Sequence, residues 1–439
     1  MKVSVISLGC KVNQAEGEDI LAGLRNAGFA PASRGETSDI TVINTCTVTG
    51  EADRKSRKLI RKVVEKATVK GGFVVVTGCY AETDEEKLRQ ISGVNLVVKQ
   101  SEKDTLVERL LYNIERTPSR LTACLPAGKA HGSRIASRSR AYLKIQDGCD
   151  NNCAYCIVPI ARGRSRSVPR AIAVKKAKKL TDAGIKEIVL TGINIGKYPN
   201  LPDTIDRLLA MPDLARLRLS SIEPEDVTPA LVGLLGEFAS SSDSRSRDPR
   251  TDTSRLTRAY LCPHLHIPLQ SGDDATLREM GRNYTSAEYA ALVKRVRAAC
   301  PGVAITTDVI VGLPGETEER FQNTIRFLEE VRPVRLHVFK YSKRPGTPAA
   351  ARKDQVPENV KAERSEAIRG LGEKLAAEYR QEFVGRELDV LVERASGNML
   401  TGTSENYLSV SFDGEPRNIG RIVKVKLVED ENGIITSRR

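Results

Sequence analysis

At about 150 residues per domain, a chain of 439 residues suggests about three domains rather than one. Apolar residues make up 40% and charged residues 28%, which supports buried cores and excludes a mainly disordered chain; Trp is absent and aromatics are 4%, which argues against a surface of aromatic stacking platforms. No apolar run approaches the roughly 20 residues needed to span a bilayer, and Met1-Lys2-Val3-Ser4-Val5-Ile6 turns polar too soon for a signal peptide. A cytoplasmic location without a membrane partner is therefore expected. There, nine cysteines point to metal or redox chemistry rather than disulfides. The net charge is +13, and between Arg116 and Lys179 alone 15 Lys/Arg face 2 acids. That stretch reads either as a solvated basic surface or as a site for a polyanion such as nucleic acid.

In chain order, Val3–Leu8, Ile40–Thr45 and Phe73–Thr77 are short Val/Ile-rich runs, as in strands covered on both faces. Helix-like stretches, Gly17–Ala27 and Ala52–Ala67, alternate with them, which predicts a doubly wound parallel sheet. Cys10 follows the first run, and Cys46 and Cys79 end the second and third. A parallel sheet aligns the carboxyl ends of its strands on one edge, where ligands bind. Cysteines 36 and 33 residues apart are thus predicted to converge; the alternative is three small buried apolar residues. Residues 114–140 read as a linker. A second alternation follows, with strands expected at Tyr142–Gln146, Glu187–Thr191, Arg216–Ser221, His264–Pro268, Ala304–Val311 and Arg335–Phe339, and helices at Ala171–Ala183, Ser286–Ala299 and Glu318–Val331. Six such units predict a partial (β/α) barrel with its chemistry at the strand carboxyl ends. The Ser-, Arg- and Asp-rich stretch 239–258 reads as a surface insertion. After a charged helical stretch, Pro357–Phe383, the runs Leu388–Val392, Tyr407–Phe412 and Ile422–Leu427 predict a small all-β, OB-like barrel. The expected domains are 1–115, a linker 116–134, 135–375 with its insertion, and 376–439.

Cys149-Asp150-Asn151-Asn152-Cys153-Ala154-Tyr155-Cys156 is C-x3-C-x2-C. Structural zinc normally takes four protein ligands, and no fourth Cys or His follows at finger spacing. Three thiolates suit a [4Fe–4S] cluster that leaves one iron open for substrate or cofactor.

This spacing, with the aromatic Tyr155 before its third cysteine, resembles that of the radical S-adenosylmethionine enzymes. Leu8-Gly9-Cys10-Lys11-Val12-Asn13-Gln14, the settings of Cys46 and Cys79, Ala161-Arg162-Gly163-Arg164, Leu265-His266-Ile267-Pro268-Leu269-Gln270-Ser271-Gly272 and Asp308–Thr317 extend the likeness to the methylthiotransferase family over nearly the whole chain. The terminal barrel resembles a TRAM domain. Within the family the Gly-Cys-Lys-Val-Asn-Gln string is most similar to the MtaB-type tRNA enzymes, which act on N6-threonylcarbamoyladenosine beside the anticodon. Gly17, where the family often has serine, and the insertion at 239–258 depart from the pattern.

The resemblance implies one [4Fe–4S] cluster on Cys149, Cys153 and Cys156, exchangeable with S-adenosylmethionine, and a second on Cys10, Cys46 and Cys79 that carries or donates sulfur. It implies two S-adenosylmethionine molecules per turnover, one to methylate the sulfur and one to generate the radical that removes hydrogen from C2 of the adenine. The partners implied are tRNA, an electron donor and a sulfur donor. By position, Tyr155, Glu223, Gln270 and Asp308 are candidates for cofactor contact, with structural hydrogen bonding as the alternative. Arg134, Arg138, Arg140, Arg162, Arg164 and Arg166 are candidates for phosphate contact. His264 and His266 share one strand face, where core or supporting roles outweigh ligation; Cys124, Cys262 and Cys300 read as bystanders. Gly192–Lys197 is one residue short of a P-loop and is rejected as a triphosphate site. Methylthiolation of isopentenyladenosine in tRNA, methylthiolation of a ribosomal protein, and a non-catalytic iron–sulfur RNA-binding protein remain the competing functions.

Overall fold

The computed structural model describes residues 1–33, 35–69, 71–116, 139–242, 259–429 and 435–438. The expected linker and most of the insertion at 239–258 lie outside these residues, as do Arg134, Arg138 and Cys124. The chain packs as two units. The first comprises Met1–Ile135, Asp147–Arg166 and Ser342–Ala350; the second comprises Ala136–Gln146, Ser167–Tyr341 and Ala351–Arg439.

The first unit is built on a five-stranded parallel sheet in the order Ala30–Pro31, Lys2–Ser7, Ile40–Thr45, Phe73–Gly78, Leu96–Val97. Its side chains alternate between two apolar layers. Val3, Val42 and Val75 pack on the helices Lys11–Asn26 and Leu106–Arg116, while Ile43, Val74 and Val76 pack on Gly50–Thr68. Both faces are covered, so each strand reads as a continuous apolar run, as expected of a doubly wound sheet. The first helix starts at Lys11, not at Gly17 as its apolar spacing suggested. Its first two turns carry Asn13 and Glu16, buried polar residues that serve the site described below.

In the second unit, two parallel sheets join into a partial barrel. One runs Tyr260–Leu261, Arg216–Leu219, Glu187–Thr191, Arg140–Lys144, and the other His264–His266, Ala304–Val311, Arg335–Lys340. A parallel bridge between Ser221 and His266 links them. Leu265, Ile305, Val309 and Val311 point to the helices Ser286–Ala299 and Glu318–Val331 and share their core. The alternate residues His264, His266, Thr306 and Asp308 form the opposite, inner face, which is polar. The six expected strands are present; the helices Leu201–Leu209 and Pro229–Ser242 and the short strand Tyr260–Leu261 went unread.

The terminal module is a five-stranded antiparallel sheet rather than the three runs visible in sequence. The additional strands are Met399–Ser404 and Ile435–Arg438. Gly402 allows the first of these to cross closely, since a Cβ there would lie 2.2 Å from Leu391 O. The module is fastened to the barrel by buried charge. Arg216 and Arg218 are both 0% exposed, pair with Glu187, and donate to the carbonyls of Asp389, Thr403, Ser404 and Glu405 at 2.7–3.1 Å.

Candidate functional site

The edge prediction for the N-terminal cysteines is met in position. Ser7 pairs with Asn44 and Thr45 with Gly78, so the strands preceding Cys10, Cys46 and Cys79 end side by side. Cys10 caps the helix Lys11–Asn26 in an extended conformation, and Cys79 opens the short helix Cys79–Thr83. Two glycines make the approach possible. Gly9 has φ +91°, and a Cβ there would lie 2.6 Å from Cys46 Sγ; Gly78 has φ +100°, and a Cβ there would lie 2.4 Å from Thr45 O. Asn13 ties the ends together, donating from Nδ2 to Leu8 O at 2.7 Å and to Thr45 O at 2.8 Å, while Asn44 Nδ2 donates to Asn13 O at 2.8 Å.

Cys46 and Cys79 are buried and Cys10 is exposed. Burial, with the neighbouring Cys10 and Cys79 thiols, pushes the Cys46 thiol up to about 12. Burial also raises Cys79, against the pull of Arg162. Neighbouring thiols that raise one another disfavour joint ionisation unless a cation sits among them, so the donor types fit a thiolate-bound metal group. Gly78→Ala is expected to break this convergence, because the substitution is strained in φ and collides with backbone. Iron counting on anaerobically reconstituted protein checks it, with loss of about half the iron as the expected result.

Cys149, Cys153 and Cys156 belong to the same packing unit. Their loop is compact: Cys156 N–H donates to Cys153 O at 3.1 Å, Cys149 N–H to Gly163 O at 3.1 Å, and Ala349 N–H to Ala154 O at 2.8 Å. Gly148 (φ +69°) passes so close to Arg164 that a Cβ would lie 2.0 Å from its carbonyl oxygen. Three partly exposed thiols on one loop also fit a thiolate-bound cluster. Tyr155 is part of this loop.

Among the expected phosphate contacts, Arg164 and Arg166 are exposed. Arg162 and Arg140 require correction. Arg162 is 4% exposed with its guanidinium turned inward, and Arg140 pairs with Glu187 and, at 2.7 Å, with Glu393. Arg162 answers the buried Glu16 and Asp147, and the half-buried Arg140 is taken up by the buried Glu187 and the half-buried Glu393. A further exposed basic face, not evident from the clustering of charge after Arg116, lies on Gly50–Thr68 and is formed by Arg54, Lys55, Lys58, Arg61, Lys62 and Lys66.

In the second unit, Asp308 Oδ1 lies 3.2 Å from His266 Nε2 and 3.1 Å from His337 Nδ1. Although burial opposes it, these imidazoles hold the Asp308 carboxyl well below its usual range. Thr306 Oγ1 contacts His264 Nε2 at 3.1 Å and His266 Nδ1 at 2.9 Å, so both histidines are held within the barrel wall. His337 was missed, though it follows Arg335 by two and therefore shares its face. Gln270 adopts a left-handed φ of +70°, uncommon for a residue with a side chain. Glu223 is taken up by Arg282, and burial raises its carboxyl. Lys197, in the rejected P-loop string, pairs with Asp226 at 2.7 Å. Cys262 and Cys300 are buried. No helix among the described residues is long and apolar enough to cross a membrane.

Residues 2–99 match the model of Uncharacterized protein family UPF0004, residues 143–328 that of the Radical SAM superfamily, and residues 381–437 that of the TRAM domain. The threonylcarbamoyladenosine tRNA methylthiotransferase MtaB of Bacillus subtilis (strain 168) is 39% identical over 97% of this chain and 94% of its own length. The Thermotoga maritima protein of the same name is 34% identical over 99% and 96%. The tRNA-2-methylthio-N(6)-dimethylallyladenosine synthase of Erythrobacter litoralis is 36% identical over 97% and 94%. Among solved structures, the radical S-adenosylmethionine methyltransferase TsrM of Kitasatospora setae superposes with a TM-score of 0.56 at 16% identity, covering 80% of this chain and 77% of that one, a likeness of fold. With relatives of this kind matching almost end to end, the chain belongs to the radical S-adenosylmethionine methylthiotransferases of the MtaB type.

Proposed function

We propose that this enzyme methylthiolates C2 of N6-threonylcarbamoyladenosine beside the anticodon of tRNA, giving the 2-methylthio product. It does so with two [4Fe–4S] clusters and two S-adenosylmethionine molecules per turnover. The observation that carries the reading is the presence of two separate three-cysteine sets in one packing unit. Cys149, Cys153 and Cys156 would hold one cluster, and Cys10, Cys46 and Cys79 the other. Three ligands each leave one iron of either cluster without a protein ligand, whereas structural clusters are normally fully ligated. When bound, the loop cluster supplies the electron for reductive cleavage of S-adenosylmethionine, and the sheet-edge cluster supplies sulfur.

The chain's own residues shape these sites. Gly9, Gly78 and Asn13 hold the sheet-edge thiols together, and Gly148 lets the loop turn back on Arg164. The functional modules are taken as 1–115 for the sheet-edge site, 135–375 for the radical chemistry and 376–439 for RNA, and the family matches at 2–99, 143–328 and 381–437 lie inside them. Tyr155, Gln270 and Asp308 are assigned to cofactor contact. Arg164 and Arg166 are assigned to tRNA phosphates, with Arg134 and Arg138 of the same basic stretch of sequence. From Val384 onward the terminal module has 8 basic residues against 9 acids, so it would add shape or base recognition rather than charge. An electron donor and a sulfur donor complete the partner set.

The Erythrobacter relative favours a second reading, methylthiolation of a dimethylallyl-type adenosine. The polar inner wall of the barrel, with His266, Asp308 and His337, supports the first. A polar wall suits a polar substituent better than an apolar prenyl chain. Mass spectrometry of tRNA nucleosides decides between them. A strain lacking the gene is expected to accumulate N6-threonylcarbamoyladenosine without its methylthio group, in ANN-decoding tRNAs. Loss of methylthio-isopentenyladenosine instead would overturn the substrate assignment.

A further inference from the structure

We infer that Arg162 is a positioning residue that couples the two cysteine sets, fixing their relation and setting a positive charge against the Cys79 sulfur. The inference rests on the two-cluster reading above. Arg162 ends the helix Val158–Arg162, which starts just after Cys156, and its side chain is 1% exposed. Nε donates to Cys79 Sγ at 3.1 Å. Nη1 donates to Glu16 Oε1 at 2.9 Å and Asp147 Oδ1 at 2.8 Å, and Nη2 donates to Asn13 Oδ1 and, at 3.3 Å, to Glu16 Oε2. A guanidinium has five N–H groups, and each has a partner here.

Those partners come from both sets. Cys79 is itself in the sheet-edge triad. Asn13 and Glu16 lie on the helix capped by Cys10, and Asn13 also ties Leu8 to Thr45. Asp147 stands two residues before Cys149, and its Oδ1 also accepts the Gly148 N–H at 2.9 Å. One rigid, planar group is therefore held by the starts of both cysteine segments, and a lysine point charge cannot reproduce that fork.

Charge accounting separates this arrangement from a buried ion pair alone. Three cations, Arg162, Lys103 and Arg166, meet two carboxylates, Glu16 and Asp147, with Lys103 Nζ 2.6 Å from Glu16 Oε2 and Arg166 Nη2 3.7 Å from Asp147 Oδ2. The carboxylates thus leave positive charge over, and Arg162 Nε is aimed at sulfur. An N–H directed at a ligating sulfur withdraws electron density from it, which favours the reduced state of a bound cluster.

The test uses the full chain with Arg162→Gln or Arg162→Lys, reconstituted anaerobically with iron and sulfide. With Cys149, Cys153 and Cys156 also replaced by Ala, iron at the sheet-edge site is observed alone, and its midpoint potential is read by redox titration with electron paramagnetic resonance. The expected result is retained iron with a potential shifted to more negative values, less for Lys than for Gln. In the chain with all cysteines, the ratio of 5′-deoxyadenosine to methylthiolated nucleoside is expected to rise at least tenfold. An unchanged potential and ratio would overturn the inference, leaving Arg162 as a buried salt bridge. If Arg162→Gln fails to fold, as judged by circular dichroism, Arg162→Lys carries the same test; failure of both to fold also overturns the inference, in favour of a purely structural role. If the triple-Ala parent with Arg162 intact holds no iron, the two-cluster reading itself falls. If it holds iron and the variants do not differ, only the inference about Arg162 falls.

Discussion

Replacing Cys149, Cys153 and Cys156 together with Ala is expected to abolish 5′-deoxyadenosine formation, with or without tRNA. The same replacement of Cys10, Cys46 and Cys79 is expected to leave reductive cleavage of S-adenosylmethionine in place and to abolish methylthiolation. The contrast follows from the origin of the thiols. One set is a single loop whose internal bonds, such as Cys156 N–H to Cys153 O, do not involve the sheet edge. The other is assembled from three strand ends aligned by parallel pairing. Each triple variant should hold about half the iron of the parent chain. Iron counting, a 5′-deoxyadenosine assay and nucleoside analysis on the two variants check the prediction. Full iron and full product in the Cys10, Cys46 and Cys79 variant would reduce those thiols to buried apolar residues.

A second large effect is expected at Glu187, far from the cysteines in sequence. Its carboxylate is 0% exposed and is met by Arg216 at 2.5 Å, Arg218 at 3.2 Å and Arg140 at 3.4 Å. Glu187→Gln keeps the side-chain volume and removes the charge, leaving buried guanidinium groups uncompensated. Loss of one partner from a buried pair costs about 3–5 kcal/mol, and a drop of that order is expected in urea unfolding at neutral pH. The terminal module should be released to limited proteolysis at the same time, because Arg216 and Arg218 also hold the Asp389 and Thr403–Glu405 carbonyls. Burial opposes ionisation of Glu187, but Arg218, Arg216 and Arg140 outweigh it and depress its carboxyl below the ordinary 4.5. A depressed acid stabilises the fold above its unfolded-state value, and that stability is lost as pH falls below about 4.5. The parent chain should lose this increment on acidification and Glu187→Gln should not. A loss under about 1 kcal/mol would mean that apolar packing by Ala304, Tyr379, Phe383 and Leu388 holds the module by itself.

Periodicity and cysteine spacing carried much of this protein into view before any fold was known. Val/Ile runs at Ile40–Thr45 and Phe73–Thr77 read as strands buried on both faces, and their contexts placed Cys46 and Cys79 at strand ends. Barrel strands such as Glu187–Thr191 and Ala304–Val311 were legible to the residue, because one face must pack against helices and therefore stays apolar. The start of Lys11–Asn26 was not legible, since its first turn is polar to serve the sheet edge. The strand Met399–Ser404 was hidden by Thr, Ser and Gly, which occupy a strand only because Leu391 and its neighbours pair with it.

The sequence by itself determined the family, the two cysteine triads, the order of strands and helices, and the excess of positive charge. These are properties of residue identity and spacing along one dimension. Only the tertiary structure decided what each charge does. Arg162 and Arg164 are two residues apart in one basic stretch, yet the first is enclosed by Cys79, Glu16, Asp147 and Asn13 while the second faces solvent. Arg140 likewise answers Glu187 and Glu393, 47 and 253 residues away in the numbering. The physical reason is that a buried charge is tolerable only beside its counter-charge, and which carboxylates meet which guanidinium is set by strand pairing and helix packing between segments distant in the chain.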